Sequence, residues 1–201
     1  MNRLSSATRF LLCAIAACSL LSSAAGAVPL DFEDLGLGTT YSHLDVFTTN
    51  GVSISVESFQ WSGGTWTTGG FSQVDGNQDA GGAGHDLQLN NVNLDFAIPT
   101  GTSAISLLYG SYGGNLNIDV NGSFHNVNDI GLFPGTIGGV TVNVVPLAGS
   151  LGRLDLSGPI SDFRLGGQEL WIDAVSIVPE PSTALLLGFG LVGLAMRRRN
   201  A

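Results

Sequence analysis

The sequence predicts an all-β protein, an antiparallel β-sandwich or jelly roll, flanked by an N-terminal signal peptide and a C-terminal short transmembrane helix. Two observations in the middle of the chain carry this prediction. Short segments alternate apolar and polar residues at the period of a half-buried strand. Glycine is abundant, with 29 residues, and no long helical periodicity occurs there. We therefore divide the chain into a signal peptide at 1–27, a β-sandwich domain at 28–178 and a membrane-directed segment at 179–201.

The first 27 residues have the parts of a secretory signal peptide. Arg3 and Arg9 precede an apolar run from Phe10 to Leu21, and Ala25-Gly26-Ala27 fits the A-x-A cleavage pattern. We expect cleavage after Ala27. Two alternatives are a membrane helix that is retained and a lipoprotein that is cleaved before Cys18.

Both cysteines, Cys13 and Cys18, lie within the signal peptide, so the mature chain would contain none. A disulfide, a thiol nucleophile and a cysteine-ligated zinc are thereby excluded for the exported domain. Its stability must come from a hydrophobic core, for which about 150 residues suffice.

The charge balance restricts the partners. The chain has no lysine, and Arg153 and Arg164 are the only arginines between residues 28 and 178. All 16 acidic residues lie between Asp31 and Glu180. Since phosphate contacts require arginine and lysine, we exclude nucleic acid as a partner. Divalent cations and neutral ligands remain compatible with this composition.

About nine short strands are predicted over the domain, which is typical of a sandwich. Asn121-Gly122 between two alternating segments predicts a type I′ hairpin turn. The predicted strands are Val52–Gln60, Asp86–Ile98, Ala104–Tyr109, Leu116–Val120, Ser123–Val127, Val140–Val144, Arg153–Leu156, Asp162–Leu165 and Glu169–Val178.

A glycine-rich segment at 62–84 interrupts this rhythm and predicts a long loop. Its Trp66 and Phe71, together with the nearby Trp61, are candidates for stacking on sugar rings. The alternative is that these three aromatic side chains cover the core.

Motifs of catalysis are missing from the sequence. It contains no G-x-S-x-G, no H-E-x-x-H and no Walker loop. We therefore predict a protein without catalysis of its own. The alternative is a secreted glycoside hydrolase that uses a pair of Asp or Glu carboxylates, for which no spacing signal exists.

Asp75-Gly76-Asn77-Gln78-Asp79 offers part of a calcium-loop ladder, with Asp86 at the twelfth position. Asp75, Asn77, Asp79 and Asp86 are the candidate ligands. The pattern departs from an EF-hand at Ala80, where a glycine is expected, and its flanks are not helical. The alternative is a solvated Asp/Asn/Gly loop.

The two ends of the domain, LDFEDLGLG and LWIDAVSIV, resemble the first and last strands of jelly-roll carbohydrate-binding modules. The resemblance implies a structural calcium, the only cofactor we predict. Glu33 and Asp173 would be its ligands, with Asp31 or Asp34 adding an oxygen. Alternatively, the terminal strands pair and their acids face water.

The apolar run from Ser182 to Met196 has no polar face, so it is expected to enter a membrane. At about 1.5 Å per residue it spans roughly 22 Å, against a hydrocarbon core near 30 Å. It is therefore a marginal span, and Arg197-Arg198-Arg199 would stay cytoplasmic.

The order of Pro179-Glu180-Pro181, this apolar run and Arg197-Arg198-Arg199 resembles the PEP-CTERM sorting signal. The resemblance implies a Gram-negative bacterium that makes extracellular polysaccharide. It also implies an exosortase as partner, with cleavage near the triplet after export by the secretion machinery. The inner membrane would hold the protein only transiently, before it reaches the cell surface or the medium.

These features together predict an exported, non-catalytic surface or extracellular-matrix protein that is an exosortase substrate. Polysaccharide is the expected ligand of its β domain. The carboxylate-dependent glycoside hydrolase is the alternative function.

Overall fold

The computed structural model describes residues 26–180, which form fourteen strands and one short 3₁₀ turn, Ile130–Leu132. The first seven strands are β1 (Val28–Leu30), β2 (Thr40–Ser42), β3 (Val46–Thr49), β4 (Val52–Gln60), β5 (Trp66–Thr67), β6 (Phe71–Asp75) and β7 (Asp86–Asn90). The others are β8 (Val92–Phe96), β9 (Thr102–Val120), β10 (Ser123–Val127), β11 (Thr136–Ile137), β12 (Val140–Pro146), β13 (Leu151–Ile160) and β14 (Phe163–Pro179).

All the strand pairs are antiparallel and belong to a 14-stranded sheet, which confirms the predicted fold class. One half of the sheet has the order β11-β12-β13-β9-β14-β7-β6-β2, with β1 added to the end of β14. In the other half, β10, β9, β14, β8, β4 and β3 lie side by side.

Two long strands, β9 and β14, belong to both halves. Residues 102–111 of β9 pair with the C-terminal part of β14, and residues 116–120 pair with its N-terminal part. The change occurs where β9 contains Gly113 and Gly114, whose φ angles of 145° and 79° suit glycine. These two strands therefore form the centre of the whole fold.

The two halves share one hydrophobic core, because the strands of both halves point their apolar side chains into the interior of the domain. In β9, Leu116, Ile118 and Val120 are fully buried in this core. Their neighbours Asn117 and Asp119 consequently point to the opposite face of the sheet. That face carries the site described below.

Several predicted strands agree with the structure, and four predictions need correction. Strand β4 has the predicted bounds, and Asn121-Gly122 makes the predicted turn with φ angles of 53° and 76°. Asp86–Ile98 is two strands, which pair with β14 in one continuous register and are interrupted at Asn91, where φ is 57°. The two segments predicted within 162–178 form the single strand β14, and Ala104–Tyr109 and Leu116–Val120 are both parts of β9. The predicted loop at 62–84 contains β5 and β6.

The predicted signal peptide, except its last two residues, and the predicted transmembrane helix lie outside the described residues. Within 26–180, no helix has the length and apolar character needed to cross a membrane.

Candidate functional site

A groove with a volume of about 370 Å³ lies on the outer face of the half formed by β4, β8, β14, β9 and β10. The strand register sets two rows of side chains across this face. Phe124, Asp119, Arg164 and Asp95 form the first row. In the second row, Gly166 stands between Asn117 and Asn93. A Cβ at Gly166 would overlap the Asn93 side chain, so the glycine allows that amide to lie against β14.

Two aromatic rings form one wall of the groove. Trp66 is 51% exposed, and its ring centroid lies 5.5 Å from that of Phe124, with the planes tilted by 39°. Strand β5 holds Trp66 in place by pairing it with Gln60 of β4. Residues 61–65 make the tight turn between these strands, where the Gly64 amide donates to the Trp61 carbonyl over 2.8 Å. A large apolar ring is thus presented to solvent on an ordered support.

The amide side chains of Asn93 and Asn117 form the floor and are nearly fully buried, and the half-buried Asn126 pairs with Asn117 in the register. Asn93 donates to the Ser58 carbonyl over 2.7 Å, and Asn126 donates to the Gln60 carbonyl over 2.7 Å. With its amide nitrogen turned towards Gln60, Asn117 donates to that carbonyl over 3.0 Å and accepts from the Gln60 amide over 2.8 Å. These bonds satisfy the backbone of β4 where it leaves the sheet, so the floor is fixed before any ligand arrives.

Asp119, Arg164 and Glu57 are the charged residues of the lining, and Asp95 and Asp162 lie beside Arg164. The Arg164 guanidinium lies 3.4 Å from a carboxylate oxygen of Asp95, 3.8 Å from Asp119 and 3.7 Å from Asp162. Glu57 lines the same groove from β4. One arginine therefore faces several carboxylates, and the groove is negatively charged.

Two of these carboxyl groups are disfavoured in their ionised form. Burial raises the pKa of Asp119, and the negative charge of Asp162 raises it further. Burial likewise raises the pKa of Asp95, although Arg164 partly opposes this. Asp119 is 8% exposed, and its Oδ1 atom has no hydrogen-bond partner.

The three predicted stacking residues have different surroundings. Trp66 lines the groove. Trp61 is half-buried and packs edge-on against Phe59 at 5.6 Å. Phe71 lies on β6 in the other half of the sheet, opposite Ser42, and is not part of the groove lining.

Sequence reasoning missed Phe124, Asp119 and Arg164 as groove residues. The alternation of Leu116–Val120 already places Asp119 on the face away from the core. The Asn121-Gly122 turn then sets Phe124 opposite Asp119. No local pattern, however, shows that Arg164 lies beside Asp119, because that contact depends on the pairing of β14 with β9.

The predicted terminal calcium ligands all accept local hydrogen bonds. Asp34 accepts the Thr49 hydroxyl at 2.6 Å and the Asn50 amide at 2.9 Å, and Asp31 accepts the Asn50 side chain at 3.0 Å. Glu33 accepts the backbone amide of His85 at 2.5 Å. The fourth predicted ligand, Asp173, lies on β14.

In the predicted calcium loop, two of the carboxylates accept hydrogen bonds from backbone amides of the loop itself. Asp75 and Asp86 are register partners across β6 and β7. Asp75 accepts the amides of Gly76 and Asn77 at 2.6 and 3.1 Å. Asp86 is buried and accepts the Ala80 amide at 3.0 Å, while its Oδ1 atom has no partner.

The two predicted calcium clusters are neighbours. The loop between β6 and β7 brings Gly82 against the carboxylate of Asp173 and Gly84 against that of Glu33, so close that a Cβ at either glycine would overlap them. Even so, no three His, Cys, Asp or Glu side chains within residues 26–180 are grouped to hold a metal ion. A calcium ion here would need backbone carbonyls among its ligands.

Asp173 is only 2% exposed, and this burial raises its pKa to about 6, with Asp86 and Asp31 adding to the effect. The Ala174 amide donates to its Oδ1 atom at 2.5 Å, which partly offsets the rise. The backbone amides of Ala83 and Ala174 therefore stabilise the carboxylate, whereas the charges of Asp86 and Asp31 disfavour its ionised form.

The start of the predicted sorting segment is part of the fold. Pro179 ends β14 and pairs with Thr102, and the Glu180 amide donates to the Gly101 carbonyl at 2.5 Å. Pro181 and the arginine cluster Arg197, Arg198 and Arg199 lie outside the described residues.

Comparison with known proteins identifies this C-terminal segment. Residues 178–199 match the PEP-CTERM protein-sorting motif. No curated protein and no solved structure matches the chain. The motif marks the chain as a substrate for exosortase-dependent sorting, and a carbohydrate-binding-module relationship finds no support in these comparisons.

Proposed function

We propose that this protein is exported, sorted by an exosortase through residues 178–199, and binds polysaccharide at the cell surface or in the extracellular matrix. The groove beside Trp66 is the proposed polysaccharide site. The protein itself performs no catalysis in this proposal. It depends on the secretion machinery for export and is held by the inner membrane of a Gram-negative cell only until the exosortase acts.

The sorting part rests on the matched motif and on the order of its three parts. The triplet Pro179-Glu180-Pro181 precedes the apolar run, and the arginines follow it. Since 22 matched residues carry no information about the β domain, the ligand must be argued from the groove alone.

The observation that carries the ligand class is the exposed ring of Trp66 beside a fixed polar floor. A volume of about 370 Å³ is within the usual range of ligand sites. Such sites combine apolar walls with a few polar groups that orient the ligand. A sugar ring presents one apolar face and a rim of hydroxyl groups, which suits the aromatic wall and the amide floor respectively.

A glycan array probed with the mature exported protein tests this proposal. We expect binding to a subset of polysaccharides, and we expect Trp66→Ala to abolish or strongly weaken it. Leu147→Ala is the matched control, because Leu147 is an exposed apolar residue outside the groove. Equal binding by Trp66→Ala and wild type would remove the groove from the proposal.

The glycoside hydrolase is favoured by one observation, since Glu57 and Asp119 line the same groove. The raised pKa of Asp119 suits a proton donor. However, Asp119 also lies beside Arg164, and three strand spacings of roughly 4.8 Å separate its strand from that of Glu57. Release of reducing ends from a bound polysaccharide, lost in both Glu57→Gln and Asp119→Asn, would establish the hydrolase.

A further inference from the structure

We propose that the groove beside Trp66 recognises a sugar that carries a free, protonated amino group, as in a de-N-acetylated hexosamine unit of a polysaccharide. This inference deepens the proposed function and rests on it, because it names the chemical class of the ligand for the same groove. Four features of the groove carry it: its charge, an unpartnered acceptor, the aromatic wall and the poor fit of a metal ion.

The first feature is an excess of negative charge. Asp95, Asp119, Asp162 and Glu57 all act electrostatically on Arg164. Arg153, the other arginine of the described residues, is engaged with Asp155 at 2.9 Å. Two of these carboxylates, Asp119 and Glu57, line the groove itself, and a cationic ligand there would offset the excess negative charge. A polysaccharide of uronate or sulfate groups would instead be repelled.

The second feature is an acceptor without a donor. The Asp119 Oδ1 atom is buried in the groove lining and has no hydrogen-bond partner. An ionised carboxylate can only accept hydrogen bonds, whereas an ammonium group offers three donors. The burial that raises the pKa of Asp119 also makes a bound cation more favourable there, because the cation would stabilise the ionised form.

The third feature is the position of the aromatic rings. Trp66 and Phe124 line the same groove as Asp119 and Glu57. An aromatic face attracts a cation, and tryptophan does so most strongly. The combination of aromatic faces with carboxylates therefore suits a cationic ring better than a neutral one.

A calcium ion fits these features less well. The aromatic wall offers it no oxygen, and the Arg164 side chain separates Asp95 from Asp119 in the register, so these two carboxylates do not converge on one ion. Calcium also needs six to eight oxygen ligands. An ammonium group needs fewer acceptors and gains from the aromatic faces.

The test uses the mature exported protein and isothermal titration calorimetry at about pH 6, where an amine of this type is protonated. The probes are a β-1,4-linked glucosamine tetrasaccharide and its fully N-acetylated counterpart. We expect the free-amine probe to bind about tenfold more tightly, in line with one cation–π contact and new charge pairing. Raising the salt concentration from about 0.05 to 0.5 M should weaken only the binding of the free-amine probe.

Two variants separate charge from stacking. Glu57→Gln should weaken the free-amine probe several-fold more than the acetylated probe, with the exposed Glu169→Gln as the matched control. Trp66→Ala should weaken both probes, and Trp66→Phe should restore part of the loss. Thermal melts establish that each variant is folded.

The outcomes distinguish this inference from the proposed function. Equal or tighter binding of the acetylated probe, still lost in Trp66→Ala, would overturn the amine and leave polysaccharide binding intact. Failure of both probes and of the glycan array would overturn both proposals. Calcium binding that Glu57→Gln abolishes would show a metal site in the groove and overturn the amine.

Discussion

At the scale of the residue, buried polar groups reveal most about this protein. Asn93 and Asn117 are buried to fix the backbone of β4, whereas Asp86, Asp119 and Asp173 are carboxylates buried without full compensation. Burying an acid whose charge is not fully compensated costs free energy, because the ionised form loses its hydration. Such residues are therefore the positions where ligands, protons or metal ions should change stability.

Asp173 provides a prediction about pH. Its pKa is about 6 in the fold and near 3.8 in the unfolded chain, so the folded state binds the proton more tightly. Stability from this residue is therefore present below about pH 4 and is lost as pH rises through 6. The two values differ by about two pKa units, which corresponds to about 3 kcal/mol at most. We expect Asp173→Asn to raise the melting temperature at pH 8 in the presence of a chelator.

The increase in melting temperature caused by Asp173→Asn should shrink towards zero at about pH 4, where the wild-type carboxyl group is also neutral. Glu169→Gln, on an exposed carboxylate, is the control for a general charge effect. A gain that is the same at both pH values would mean that Asp173 ionises normally in the fold.

At the scale of the element, glycine and asparagine positions decide where strands begin, bend and end. The alternation of residues predicted β4 and the hairpin of β9 and β10, because one face of each is buried. It did not predict that β14 runs unbroken through Gly166 and Gly167, since a pair of glycines is also typical of a turn. Of the groove residues, only Trp66 was predicted from the sequence. Arg164 and Asp119 were missed because they meet through the pairing of distant strands.

The Asn121-Gly122 turn provides a prediction about stability. Asn121 has a positive φ, donates to the carbonyls of Gly138 and Pro159 over 3.0 and 2.9 Å, and accepts the Ser161 amide at 2.8 Å. Asn121→Ala should cost about 2–3 kcal/mol, since it loses these bonds and strains the backbone. Asn121→Gly should cost less, because glycine tolerates the positive φ. Urea unfolding measures both, and equal costs would mean that backbone strain contributes nothing.

The loop between β6 and β7 provides a prediction about calcium. It joins the buried carboxylates of Asp86 and Asp173, whose mutual repulsion a divalent cation would relieve. At a hundredfold excess over its Kd, calcium should add about 2.7 kcal/mol and raise the melting temperature by several degrees. Magnesium at equal ionic strength is the control for screening.

Because the two clusters are neighbours, Asp86→Asn and Asp173→Asn should each abolish the calcium-specific shift. Asp45→Asn, at an exposed carboxylate directly before β3, should retain the calcium-specific shift. If the wild type melts at the same temperature with and without calcium, neither cluster binds the ion.

At the scale of the whole molecule, the β domain extends as far as the sorting motif. Pro179 is still paired with Thr102, and residues 175–177 of β14 lie between β1 and β9. A protease that cut before Pro179 would have to extract a strand from the middle of a sheet. The fold therefore limits where the proposed exosortase can act.

We expect the mature protein to end at Glu180 or later, and mass spectrometry of its C-terminal peptide measures this directly. Pro179→Ala combined with Pro181→Ala should leave a slightly larger, membrane-retained protein. Pro146→Ala, an exposed proline outside the motif, is the control. A mature form that ends within 163–178, or one that keeps the three terminal arginines, would contradict the prediction.

The central position of β14 also determines when the domain can complete its folding. Every strand pair made by β14 joins it to a segment much earlier in the chain, from β1 to β9. Such long-range pairing is slow, because loop closure must precede the gain from contacts. During the proposed export, the domain therefore stays incomplete until residue 179 has crossed the membrane. The domain could then complete its folding only when the sorting motif reaches the membrane. A chain that presents a complete motif to the exosortase would therefore be one whose domain has just become able to fold.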